Sequence, residues 1–333
     1  MWQVQQGVGA VPTPIGRLTQ VRSTPQERAR MKLQEIVAKR SRVDFKLLAV
    51  DRALAKEMQS RLVSLGCLDF PPDGDFGPVS TLVLREFMKT AGVPLGDTID
   101  APLAQALLDN TSDTLLPVSL GTDLVSRIIK YMQLRGLWFA RLPGFLNICY
   151  VEGVNKDGSL NANELNKFND RRIVFTIEGG RPKALLNVEA TTEPGRTFTL
   201  NPINPQGAAR IAFGQYKAWR VGVHRPKPTS SGHEALVQVS EITVHRDLNK
   251  DGKREGDKID VGSGFGINQH SGHNANVNDI GRTSAGCLVG RSHEEHREFM
   301  RLIKTDPRFR LASKGYTYIT TVIAGDDLKR QVG

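Results

Sequence analysis

The chain's nucleophile and base chemistry rests on three cysteines and seven histidines. Cys287 stands in Thr283-Ser284-Ala285-Gly286-Cys287-Leu288-Val289-Gly290, and every histidine falls between His224 and His296. A thiol acts as a nucleophile when a nearby base can take its proton and the site favours the thiolate. His270 lies seventeen positions before Cys287 and could be that base, with a pKa near working pH. Gly286 permits a tight turn and close approach of a substrate. Successive backbone N–H groups in such a turn can hold an oxyanion, so the segment suits acyl transfer. The competing reading is a buried core thiol beside an ordinary turn.

Two other chemistries are open. His270-x-x-His273 and His293-x-x-His296 could each offer a pair of zinc ligands, although His293-Glu294-Glu295-His296 is one residue short of H-E-x-x-H. Asp247-Leu248-Asn249-Lys250-Asp251-Gly252 opens like a calcium loop. Asp247, Asn249 and Asp251 would be its oxygen ligands, with Asp257 one place early and Lys258 at the twelfth position. An Asx-rich hairpin turn is the alternative for this run. Tyr216 and Trp219 could line a glycan or stem-peptide groove, or be half-buried strand aromatics.

The elements that would carry these residues follow from periodicity. Residues 1–45 read as a basic arm with a helical linker starting near Thr24. Residues 46–110 form a small helical unit: Leu47, Leu54, Met58, Leu62 and Leu65 make one face, Val79–Thr90 a second helix and Ala101–Leu108 a third. Residues 111–121 read as a linker, followed by a helix over Asp123–Arg135. From about residue 170 short β-type runs dominate, including Arg172–Ile177, Ala184–Val188, Ala209–Phe213, Arg220–Val223, Ala235–Val239 and Tyr316–Val322. A helix after Ser292 interrupts them, with Phe299, Met300, Leu302 and Ile303 as its buried face. The fold expected is α+β multidomain, with residues 122–333 as the β-rich catalytic part.

The net charge is +10, and about half of it lies in the first 45 residues, at Arg17, Arg22, Arg28, Arg30, Lys32, Lys39, Arg40 and Arg42. Such an arm could dock on a protein partner or on an anionic wall; no nucleic-acid motif accompanies it. No apolar run of membrane-spanning length exists, so no membrane span is expected. An odd, small number of cysteines argues for free thiols. The first residues lack a basic n-region and an apolar core, so no signal peptide is expected. Delivery to a wall would then depend on lysis, a phage particle or an injection apparatus.

Two stretches resemble known families. Met58-Gln59-Ser60-Arg61-Leu62, Leu65-Gly66, Asp73-Gly74-Asp75-Phe76-Gly77 and Glu86-Phe87-Met88 are similar to the three-helix peptidoglycan-binding domain, with Met88 where that family has Gln. His270, Gly272, Ile280-Gly281 and Ser284-Ala285-Gly286-Cys287 resemble the active-site signature of the L,D-transpeptidase (YkuD-like) family. Ala285, where the family often has His, and Val289, where it has Arg or Asn, depart from it. The resemblance implies Cys287 as nucleophile, His270 as general base and the N–H groups of Gly286 and Cys287 as oxyanion donors. Gly272, His273, Arg282 and Ser284 would then be substrate contacts. The activity implied is thioester-mediated transpeptidation or hydrolysis on a peptidoglycan stem peptide, without a cofactor. The alternatives are a zinc-dependent wall peptidase and a non-enzymatic wall-binding component of a phage tail or injection apparatus.

Overall fold

The structure is a computed structural model and describes residues 32–225 and 232–333. The helix expected from Thr24 is described as Leu33–Lys39; its earlier residues, and Arg17 to Arg30 of the basic arm, lie outside the described residues. The chain is α+β and multidomain, with one core built by helices and others inside and around a barrel.

Helices Arg52–Ser64, Pro78–Thr90 and Ala101–Asp109 form the helical core. The first starts where the Asp51 carboxylate accepts from the Leu54 N–H, satisfying an orphan donor. Leu47 therefore falls in a preceding 3-10 turn and is exposed, while Leu48 takes the buried place. Gln59 is buried and pins the Asp-Gly turn: its amide donates to Asp73 Oδ1 and Asp75 O, both at 2.9 Å, and accepts from the Gly74 N–H at 2.7 Å. This core also takes Leu33, Ile36 and Val43 from before the three helices and Ala140, Leu142 and Phe145 from after them. The stretch expected as a linker contains a short helix, Ser112–Leu115, and its Ser119 N–H donates to Gly180 O.

The strands, in chain order, are β1 (Val43–Asp44), β2 (Thr98–Ile99), β3 (Asn147–Glu152), β4 (Asp170–Glu178), β5 (Arg181–Thr191), β6 (Ala208–Ile211), β7 (Gly214–His224), β8 (His233–Gln238), β9 (Ile242–Asp247), β10 (Lys258–Gly262), β11 (Gln269–Ser271), β12 (Leu288–Gly290) and β13 (Tyr318–Ala324). Eight close a barrel in the order β11-β12-β5-β4-β3-β13-β7-β8, and β10-β9-β6 make a smaller sheet. Strand alternation sends Tyr150, Val174, Leu288 and Val322 to one core. It sends Cys149, Val151, Ile173 and Phe175 to another, against helices Leu124–Leu134 and Gly325–Val332. A buried ion-pair network fastens the helical unit to the barrel. Asp69 accepts from Arg308 at 2.5 Å and from the Tyr316 hydroxyl at 2.8 Å, and Arg308 also holds Asp306. Burial alone would raise the Asp69 carboxyl; Arg308 and Lys217 hold it below the ordinary carboxylate range.

Candidate active site

Of the two residues expected to do chemistry, His270 lies on β11, and Cys287 immediately precedes β12, which runs parallel to it. β11 pairs with β12 in the register Gln269↔Leu288, His270↔Val289 and Ser271↔Gly290. Side chains alternate, so His270 and Val289 share the face away from the barrel interior. Cys287, two residues before Val289 and packed in the same small cluster with Phe168 and Ile280, shares it too. The register thus sets His270 one strand spacing from Val289, two residues after Cys287. The loop between the strands leaves β11 at Gly272, whose N–H donates to Gly290 O at 2.7 Å.

A buried guanidinium holds the two strands together from inside. Arg172 donates to the carbonyls of His270 and Leu288, each at 3.2 Å, and to the Tyr150 hydroxyl at 2.5 Å. It has no carboxylate in ion-pair range among the described residues; its charge lies over the rings of Tyr150 and Phe299. Gly290 is required opposite it, since a Cβ there would stand 2.5 Å from Arg172 Nη1. Nothing in the local sequence marks Arg172, because its role depends on barrel closure.

His270 is buried, and its Nδ1 lies 2.9 Å from Ser271 O. A carbonyl only accepts, so Nδ1 carries the proton and Nε2 is left as the basic nitrogen. Burial, then the neighbouring His224, pushes the His270 pKa well below the ordinary value, so the ring is neutral at pH 7. Cys287 is 9% exposed and its thiol donates to Gly266 O at 3.5 Å. Burial pushes it up to about 11, against the pull of the Asn268 backbone N–H and the Arg225 charge. The resting pair is therefore thiol and neutral imidazole, which suits proton transfer during attack and not a preformed ion pair.

The turn before Cys287 corrects one expectation. The Gly286 N–H donates to Ser284 Oγ at 3.1 Å and is already committed, leaving the Cys287 N–H of the two expected oxyanion donors. Ser284 is buried, and its hydroxyl donates to Cys287 O at 3.0 Å, so its side chain is spent on the turn. Gly286 has φ +125°, and a Cβ there would stand 2.4 Å from Ala209 O. Glycine is needed because β6 backs directly onto the turn.

Trp219 is also corrected: it is fully buried, donates to Ile267 O at 2.8 Å and lines no groove. Tyr216 is half-buried, with its hydroxyl spent on Ala212 O. Arg282 and His273 are exposed at the loop rim.

Six histidines gather at one end of the barrel. The rings of His224 and His270 stack at 4.0 Å, and His233 lies within 6 Å of His224, His270, His273 and His296. His233 Nε2 accepts from the Ser271 N–H at 3.1 Å, so its Nδ1 is protonated and faces His273 Nε2 at 3.3 Å. His224 Nδ1 accepts from Asn268 Nδ2, and His296 Nδ1 accepts from Arg172 while its Nε2 donates to Glu234 O. Burial, then mutual repulsion, lowers His224 and His233 to about 4; burial and Arg172 lower His296 to about 3. All seven histidines fall between His224 and His296 in sequence, but the spacing of His224 and His233 carries no ligand pattern that marks them as members of this group. As they stand, no three His, Cys, Asp or Glu side chains among the described residues converge to hold a metal ion.

No protein-family pattern matches the chain, and no curated protein matches it. Two solved structures overlay on it. One is a fused Zn-dependent amidase/peptidase/peptidoglycan-binding domain-containing protein from Clostridium acetobutylicum ATCC 824, at 11% identity and TM-score 0.23, over 80% of this chain and 94% of that one. The other is the L,D-transpeptidase of Xylanimonas cellulosilytica DSM 15894, at 12% identity and TM-score 0.19, over 80% of this chain and 92% of that one.

Proposed function

We propose that the chain is a cysteine acyl-transfer enzyme acting on peptidoglycan stem peptides, with Cys287 as nucleophile and His270 as general base. The observation that carries the reading is the parallel register of β11 and β12. It sets a histidine of fixed tautomer opposite Val289, two residues after a cysteine that follows a glycine turn. The choice of peptidoglycan rests on the sequence resemblances of the helical unit and of the cysteine loop.

In this mechanism the Cys287 thiol gives its proton to His270 Nε2 as sulfur attacks the carbonyl carbon of a stem-peptide amide. The Ser271 carbonyl, already bonded to Nδ1–H, steadies the imidazolium that forms. The Cys287 N–H faces the developing oxyanion. The C–N bond then breaks, the leaving amine takes the proton from His270, and an acyl thioester remains on sulfur. An amine acceptor completes transpeptidation; water completes hydrolysis.

The test is digestion or cross-linking of purified sacculi by wild type and Cys287→Ala, with separation of the released muropeptides. New products are expected from the wild type alone. Identical products from both proteins would remove Cys287 from the chemistry.

A further inference from the structure

The hairpin joining β9 to β10 lies apart from the cysteine and histidine groups. It begins at Asp247, the last residue of β9, and returns at Asp257, just before β10. Gly252 has φ +74°, and its N–H donates to Asp247 Oδ2 at 3.1 Å. Arg210 Nε reaches the same oxygen at 3.3 Å. The other oxygen, Asp247 Oδ1, is buried and has no partner, although Asp247 is 0% exposed. Asp257 Oδ2, at the far end of the hairpin, is likewise buried and without a partner. On β9, two residues before Asp247, His245 Nδ1 is buried and also lacks a partner.

A buried carboxylate oxygen without a donor costs about 1–3 kcal/mol, more when the group is charged. Two such oxygens at the two ends of one short loop call for a shared cation. The surroundings point the same way. Behind Asp247 lie the buried carboxyls of Glu152, Asp170 and Glu193, and only Arg210 and Arg254 pair with this group among the described residues. The Glu193 carboxyl is pushed up to about 7, by burial and by Glu152, even with Arg210 beside it.

We infer that the hairpin Asp247–Asp257 is a calcium site, with the bare oxygens of Asp247 and Asp257 as inner ligands. Asn249, Asp251 and the Lys253 carbonyl complete an all-oxygen set at the first, third, fifth and seventh positions of the loop. The Asp251 carboxylate is held within the loop: it accepts from Asn249 Nδ2 at 2.9 Å and from the Lys253 N–H at 2.8 Å. Asn249 and Asp251 are exposed, so rotating them inward disturbs no packing. Oxygen donors on a flexible hairpin suit calcium over magnesium, which demands near-octahedral geometry. With no bidentate Glu at the twelfth position, affinity falls in the weak range of about 0.1–1 mM. The site also abuts the catalytic turn. Asp247 pairs with Ala208 of β6, and the carbonyl of the next residue, Ala209, is the atom that Gly286 packs against.

The test uses the full chain, stripped with a chelator and titrated with CaCl2 or MgCl2. Bound metal is read by equilibrium dialysis and stability by thermal melting. One calcium per chain is expected, with a rise in Tm that magnesium does not match. Asp247→Asn removes an inner ligand but also touches Arg210, so Asp251→Ala and Asn249→Ala, at exposed positions, carry the comparison. Each should weaken calcium binding at least tenfold with the metal-free Tm unchanged. No calcium retained at about 5 mM, an equal response to magnesium, or unweakened binding by Asp251→Ala would each overturn the assignment.

Discussion

Replacing Gly286 by alanine tests whether the turn before Cys287 is fixed by steric necessity. The new Cβ would stand 2.4 Å from Ala209 O. An ordinary carbon–oxygen contact is about 3.3 Å, so the turn or β6 must move by about 1 Å. The backbone offers no relief, because φ is +125°, a region costing a non-glycine residue about 1–3 kcal/mol. Overpacking against a sheet adds about 1–3 kcal/mol. Together these predict a loss of about 2–6 kcal/mol, or roughly 4–24 °C in Tm for a unit of this size. Gly281→Ala is the matched control in the same loop. Its φ is +53°, and its Cβ would meet only the Asp279 carboxylate at 3.3 Å, so the cost is about 1 kcal/mol. Both proteins would be melted in parallel, and muropeptide turnover measured below either transition. A 1 Å displacement of the nucleophile should cost about a hundredfold in rate. If Gly286→Ala melts and turns over like Gly281→Ala, the close contact with β6 does not govern the turn, and the reasoning fails.

The same site sets two pH dependences. Cys287 sits near 11 against a usual 9, so its alkylation at pH 7 should run about a hundredfold slower than that of a free thiol and climb through pH 10. Peptide mapping after iodoacetamide would show it, and rapid labelling at pH 7 would contradict the closed resting state. The histidine group acts in the acid direction. His224 and His233 titrate near 4 in the fold and near 6.5 when unfolded, so the stability they contribute is complete above pH 6.5 and drains away as pH falls towards 4. Tm measured from pH 7 to pH 4.5 should fall steeply, and His233→Gln should flatten the slope; a Tm that holds constant over that range would contradict it.

The residue types and spacings by themselves determined a good deal. The Ser292 cap, the Asp-Gly turn and the period-two runs rest on contacts within a few residues, so they are legible in the order of the amino acids. Helix Arg52–Ser64 began where Asp51 could cap it, although the apolar face had suggested an earlier start at Leu47. Cys287, Gly286 and His270 stood out because a nucleophile, a permissive turn and a base lie in one short segment. What the order of residues could not decide were the contacts made by barrel closure. Trp219 has the same alternating strand pattern whether it faces a groove or the core, and only the packing of β7 put it inside. Arg172 lies far from Cys287 in sequence, and its hold on the carbonyls of His270 and Leu288 exists only once β4, β11 and β12 share one interior. The Gly286 N–H looked free as an oxyanion donor until the turn folded Ser284 Oγ onto it. Local rules act over three or four residues; these three outcomes depend on which surfaces meet when the barrel closes, and that is settled by the tertiary structure alone.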